Sequence, residues 1–367
     1  MRDTGLRIGI DGRFLQDHFP GIGRYTFHLI KELARLDGPE TYVVFYNPYA
    51  TNSRFNLRDL EGPSAVLWPV DPPPFSVRSQ FVLWHHLRLA RIELFHSPHY
   101  LLPLLATCPL VCTIHDTIPL RDAAYMPSRT GRAAYRLALS VALSRSKAVM
   151  ADSSASREDL VQHFKIPPHR VRVVYLGVDP PRPGPGEAGE SRCILYVGTN
   201  KPHKNLPRLI LAYARSGLSQ PLVIAGGLDP RFPEAQRQAE ALGLGGRVRF
   251  LGYVEEDRLE KLYRSADLLV FPSLAEGFGL PALEAMSYGV PVVSSNHPSL
   301  PEVVGEAALL VDPLDIGSLA SAMARVLTDR ALALELSRRG QERVALFSWK
   351  RTAEGCVQVY REVSKGL

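Results

Sequence analysis

Residues 179–191, DPPRPGPGEAGES, hold four prolines and three glycines in thirteen positions. No helix or central strand survives that density of missing N–H groups and free backbone, so the segment reads as a linker. The same alternation runs on either side of it. Before it come the apolar strands LRIGI, YVVFYN, AVLWPV, LFHSP, PLVCTIHD and KAVMADSS; after it come CILYVG, PLVIAGG, VRFLGYV, DLLVFPS, VPVVSS and AALLVDP, with helical stretches between most of them. GIGRYTFHLIKELARL has helical period, with Tyr25, Leu29, Ile30 and Leu33 on one side. Strands without polar alternation belong to sheets covered on both faces. The expected fold class is therefore α/β: two Rossmann-like domains in tandem, with a deep cleft between them as the natural ligand site. The expected division is 1–178, linker 179–191, and 192–347, with the last helix (348–367) returning to the first domain.

A chain of 367 residues suits two cores of ordinary size, and 46% hydrophobic with 22% charged residues is the balance of a folded protein. MRDTGLRIGIDGRF enters a strand without an apolar leader, no run approaches the ~20 residues of a membrane helix, and Cys108, Cys112, Cys193 and Cys356 have no zinc-like or disulfide-like spacing. A cytoplasmic protein with reduced cysteines is expected. The net charge of +6 sits in the first half, where residues 1–178 carry 21 basic and 15 acidic side chains. Arg129, Arg132, Arg136, Arg145 and Lys147 are the densest part. Acidic lipid headgroups, a pyrophosphate-linked substrate or nucleic acid would answer such a field. No zinc-finger, RRM-like or helix-turn-helix signature accompanies it, so nucleic acid is not the expected partner.

Glu276 and Glu284 bracket an otherwise apolar stretch, SLAEGFGLPALEAMSYGVPVVSS (273–295). The strand before it ends near Pro272–Ser273, and a helix starts near Gly279–Leu280 with Pro281 in its first turn, where a missing N–H is harmless. EGFGLP then forms a backbone cradle for phosphate at a helix N-terminus. A carboxylate repels phosphate, so the two glutamates accept hydrogen bonds from hydroxyl groups instead. A ligand with phosphate in its middle and hydroxyls at both ends is a nucleotide sugar.

EGFGLPALE resembles the E-x7-E signature of the retaining GT-B glycosyltransferases of family 4. The resemblance spans nearly the whole chain, through GIGRYTFHLIKEL, HSPHYLLPL, TIHDTIPL, ADSSASREDL, YVGTNKPHKNLPRLI, FLGYVEEDRLEKLYRSADLLVFPS and FSWKRTAE. It implies that Glu284 binds the ribose hydroxyls and Glu276 the donor-sugar hydroxyls, while the backbone of Gly277, Phe278, Gly279 and Leu280 holds sugar and diphosphate. Lys204 would pair with the diphosphate as it leaves. Gly21 and Gly23 would let the first loop approach the phosphates, His115 would contact the donor sugar with Asp116 fixing the local turn, and backbone at Gly252, Tyr253 and Val254 would meet the base. Where many relatives carry arginine, this chain has Thr199; Lys201 is the nearest substitute and His203 precedes Lys204.

No Asp-x-Asp motif is present, so neither metal nor other cofactor is expected, and the resemblance implies retention by front-face displacement from a nucleotide-sugar donor. The expected acceptor is a glycan, plausibly polyprenyl-diphosphate-linked. Phe81, Leu83, Trp84 and Leu87, interleaved with Arg78, Arg88 and Arg91, fit either a helix buried by its apolar side or a surface that docks on an acidic membrane at its inner face. IHDTIPL and GIGRY lean towards mannosyltransferases of surface-polysaccharide synthesis using GDP-mannose. A UDP-hexose transferase, a UDP-sugar 2-epimerase-like enzyme and a non-catalytic nucleotide-sugar-binding partner are the alternatives.

Overall fold

The computed structural model describes residues 5–182 and 192–366. Residues 183–191 of the expected linker lie outside the described residues. Two compact units are present. One comprises Met1–Leu120, Ser128–Gly177 and Trp349–Leu367; the other comprises Arg121–Pro127 and Val178–Ser348. The division departs from the expected one at one place, because residues 121–127 pack with the second unit rather than within 1–178.

The first unit is built on seven parallel strands: β1 (Arg7–Asp11), β2 (Thr41–Tyr46), β3 (Ala65–Pro69), β4 (Leu94–Ser97), β5 (Leu110–Ile114), β6 (Ala148–Ala151) and β7 (Val171–Val173), in the order β3-β2-β1-β4-β5-β6-β7. The second carries β8 (Cys193–Val197), β9 (Leu222–Ala225), β10 (Val248–Gly252), β11 (Ala266–Phe271), β12 (Val292–Ser295) and β13 (Ala308–Val311), ordered β10-β9-β8-β11-β12-β13. Every strand pair is parallel. The central strands are buried along nearly their whole length, as in β4, β5, β9 and β12, because helices cover both faces.

Each sheet reverses its order once, between β1 and β4 in the first unit and between β8 and β11 in the second. At such a switch point the loops leaving the two neighbouring strands diverge to opposite faces and open a crevice at their carboxyl ends. Those loops carry Lys204 after β8 and Glu276 after β11. His115 and Asp152 follow β5 and β6, one and two strands further along the first sheet.

The C-terminal helix Trp349–Lys365 belongs to the first unit, packed on the helix Pro20–Leu33. Trp349 stacks on His28, with ring centroids 4.7 Å apart. Tyr360 Oη lies 2.7 Å from His96 Nδ1, and Arg361 holds both carboxylate oxygens of Glu40 at 2.5 and 3.0 Å. His96 is fully buried and meets Thr113 Oγ1 through Nε2 at 2.9 Å; burial pushes its pKa down to about 3. A neutral imidazole thus ties β4, β5 and the C-terminal helix together.

Candidate active site

In the second unit, the chain leaves β8, makes a 3-10 turn at Pro202–Lys204 and enters the helix Leu206–Ser216. Asn205 links the two with left-handed backbone (φ 62°), and its amide donates to the carbonyls of Pro272 and Pro313 at 3.0 and 2.8 Å. The His203 carbonyl accepts from Leu274 N–H at 2.7 Å. These bonds clamp the loop after β8 to the loop after β11. Across the clamp, Lys204 Nζ meets Glu276 Oε1 at 2.6 Å, with side-chain exposures of only 16% and 9%. The ammonium also sits 5.4 Å from the centroid of the Phe271 ring.

Glu276 is held from behind as well: its carbonyl accepts from Ser299 Oγ at 2.9 Å. Three residues on, Gly279 has φ +108° at the start of the helix Leu280–Ser287, whose N-terminus no side chain caps. A Cβ there would lie 2.5 Å from Leu300 Cδ2, so glycine is required by both backbone and space. An uncapped helix start beside an ammonium is an anion site; in this structure the anion beside Lys204 is Glu276. Phe278 is buried edge-on to Phe347.

Glu284 lies one turn into the helix, 7% exposed, and one carboxylate oxygen accepts from Tyr263 Oη at 2.6 Å. Tyr263 comes from the helix Glu256–Ser265 and stacks on Tyr288 at 5.6 Å. Gly252 ends β10 with φ +67°; Tyr253 after it is exposed and Val254 half-buried. Thr199 offers its carbonyl to Tyr196 Oη at 2.9 Å, and Lys201 is exposed. His203 is buried and neutral, its pKa pushed down to about 3 by burial and then by Lys204 and Lys201. The segment 121–127 belongs to this unit and contacts its loops. The Arg121 guanidinium donates to His297 Nε2 at 2.6 Å, and the Tyr125 ring meets His203 edge-on at 5.6 Å.

In the first unit, Gly21 and Gly23 do not form a loop. They occupy the first turn of the helix Pro20–Leu33, and Gly23 N–H is bonded to the Phe19 carbonyl at 2.7 Å. A Cβ on Gly23 would stand 3.0 Å from both the Phe14 carbonyl and the Phe55 ring, whereas Gly21 faces open space. His115 leaves β5 with Nδ1 2.7 Å from Asp152 Oδ2 and Nε2 3.0 Å from the Pro98 carbonyl. Asp116 caps the next turn, accepting from Ile118 N–H at 3.1 Å. His99 is buried, with its pKa pushed down to about 3 by burial.

The helix Val77–Leu89 corrects the expected docking face. Leu83 and Leu87 point into the core and Trp84 is half-buried with Arg88 over its ring, while Phe81 is 60% exposed beside Val77 at 79% and Leu89 at 57%. Arg78 and Arg88 are exposed on the same helix. Among the described residues, no helix is long and apolar enough to cross a membrane, and no cluster of three His, Cys, Asp or Glu side chains is arranged to hold a metal ion.

Asp152, Asn205, Tyr263 and Ser299 were absent from the sequence reading of the site. Asp152 carried a signal, an acidic residue at the end of a buried strand in ADSS; the others are partners made only by folding.

Two doubly wound sheets with the polar groups gathered at their strand ends define a two-domain α/β protein. Comparison with known proteins narrows that class. Residues 20–182 match the family described as Glycosyltransferase Family 4, and residues 181–343 match Glycosyl transferases group 1. The chain is 30% identical to "O-antigen chain mannosyltransferase B" of Escherichia coli, over 93% of its own length and 96% of that protein. It is also 30% identical to "MMP alpha-(1->4)-mannosyltransferase" of Mycolicibacterium hassiacum, over 97% and 98%. Among solved structures it is similar to sucrose-phosphate synthase from Thermosynechococcus elongatus, with a TM-score of 0.77 at 23% identity over 99% of this chain and all of that one. The chain belongs to the group 1 glycosyltransferases, and its fold is GT-B.

Proposed function

We propose that this glycosyltransferase moves an α-mannosyl group from GDP-mannose to a glycan acceptor, with retention and without a metal ion. The observation that carries the reading is the Lys204–Glu276 pair at the β8/β11 switch point. A bound diphosphate would compete for the ammonium and release the Glu276 carboxylate for sugar hydroxyls. Lys204 and the uncapped start of the 280–287 helix would then face the leaving phosphate, which is electrostatic stabilisation where charge develops. Glu284, already oriented by Tyr263, would receive ribose hydroxyls through its carboxylate. On this reading Lys204 and the helix start neutralise the diphosphate, which makes a bridging metal unnecessary.

Mannose as the sugar is supported by the names of the two relatives matched over nearly their full length. The O-antigen name of the first supports an acceptor of surface-polysaccharide assembly, here a polyprenyl-diphosphate-linked glycan. Phe81, Val77 and Leu89 with Arg78 and Arg88 would rest on the acidic inner face of the membrane.

The test is a thermal-shift panel of GDP-mannose, GDP, UDP-glucose, UDP-GlcNAc and UDP in EDTA, followed by transfer assays and anomeric NMR of the product. Ligand bound to the native state raises the melting temperature. Shifts with the guanine ligands alone and an α-linked product support the reading. Shifts with uracil ligands alone would overturn GDP-mannose and leave a UDP-sugar transferase. Dependence on added divalent metal, or a β-linked product, would overturn the mechanism.

A further inference from the structure

With Asp152 ionised, the ring of His115 has no lone pair left to act as a base. Its Nε2 lies 3.0 Å from the Pro98 carbonyl, and a carbonyl only accepts, so Nε2 carries a proton. Its Nδ1 lies 2.7 Å from Asp152 Oδ2, and a carboxylate also accepts. We propose that Asp152 is the positioning residue of His115, holding it as an imidazolium whose fixed positive charge serves the reaction, with no lone pair to act as a general base.

The surroundings of the pair agree. Asp152 follows β6 directly, and β6 pairs with β5, so the carboxylate and His115 leave adjacent strand ends side by side. The Asp152 side chain is 3% exposed, and its Oδ1 has no hydrogen-bond partner among the described residues. Burial pushes the Asp152 carboxyl up and the His115 imidazolium pulls it back down, so the ionised carboxylate depends on His115 as its counter-charge. Tyr25, from the helix Pro20–Leu33, meets the imidazole edge-on at 4.8 Å and fixes the ring plane.

The other titratable groups near the ring do not replace Asp152. His96 on β4 and His99 after it are both kept neutral by burial, pushed down to about 3. Burial likewise keeps the Tyr25 phenol protonated, and Asp116 is the lesser of the two acidic influences. Burial alone would lower the His115 pKa; Asp152 reverses the direction and raises it above the ordinary value of 6.5.

The role in transfer rests on the glycosyltransfer reading above, but the protonation state does not, so the two are tested separately. Nitrogen NMR of the histidine-labelled full chain reads the ring directly. Both His115 nitrogens are expected in the protonated range at neutral pH, with a midpoint above 6.5 that falls by at least one unit in Asp152→Asn and not in Asp152→Glu. An unprotonated Nδ1 at neutral pH, or an unmoved midpoint in Asp152→Asn, would overturn the proposal whatever the reaction. If Asp152→Asn does not fold, the wild-type titration decides. In the transfer assay, His115→Gln, which keeps an amide donor but no charge, is expected to lose at least tenfold, as much as His115→Ala. Full activity in His115→Gln would overturn the role of the charge.

Discussion

Lys204 Nζ and Glu276 Oε1 are 2.6 Å apart, joined across loops that leave β8 and β11, 72 residues apart in sequence. The two groups therefore neutralise one another. The site is kept charged and largely dehydrated without leaving either ion uncompensated.

Removing one partner should reveal that balance. Lys204→Ala is expected to destabilise the protein by about 1–3 kcal/mol, because Glu276 is left without its donor. The double variant Lys204→Ala/Glu276→Gln should recover most of that loss. Turnover should stay at least tenfold down in both, about 1.4 kcal/mol of barrier. Chemical denaturation with parallel rate measurement checks the pair; a double variant no more stable than the single would show that the contact carries no energetic coupling.

Tyr263→Phe removes the hydroxyl that donates to Glu284 and fills its space with nothing else. Donor affinity is expected to fall three- to tenfold, about 0.7–1.4 kcal/mol, with kcat changed less. Calorimetric titration with the nucleotide selected by the thermal-shift panel reads this. Unchanged affinity would mean that Glu284 is oriented by the helix alone.

Gly279 tests the cradle. Alanine must adopt φ +108° and displace the fully buried Leu300, which should cost about 1–3 kcal/mol of stability. The change is confined to the start of the helix that carries Glu284, so donor affinity should fall with it. A melting temperature within 1 °C of wild type, about 0.8 kcal/mol for a chain of 367 residues, would remove the claim that this backbone is constrained.

Acid should unfold the protein through its neutral histidines. His96, His99 and His203 have folded pKa values near 3, below the ~6.5 of the unfolded chain. Below pH 6.5 the unfolded state binds protons that the folded state refuses. The contribution of these three histidines is therefore complete above pH 6.5 and declines as pH falls towards 3, by about 1.4 kcal/mol per pH unit for each. Denaturation midpoints between pH 7 and pH 5 measure the slope. His96→Gln should make it shallower, and an identical slope would exclude His96 as a contributor.

The strand ends and the Glu276–Glu284 segment were legible because each is local. A buried parallel strand is recognised by its own apolar run, and a helix start by the adjacent glycine and Pro281. Such features determined two doubly wound units and put candidate residues at the correct ends of strands. The resemblance misled where the residues did not: GIGRYTFHLIKELARL reads at helical period, and Pro20 starts a helix that contains the glycines the resemblance placed in a loop. The helix Val77–Leu89 buries Leu83 and Leu87 and exposes Phe81, a choice its sequence alone left open.

Partnership was decided only by the tertiary structure. His115 stands next to Asp116 in sequence but bonds Asp152, because β5 and β6 pair in parallel and bring their carboxyl ends together across a 37-residue crossover. Tyr263 reaches Glu284, and Arg121–Pro127 leaves the unit on either side of it in sequence, for the same kind of reason. Periodicity and composition report on neighbours along the chain. Which charge faces which depends on strand order, and strand order is set by the packing of the whole sheet.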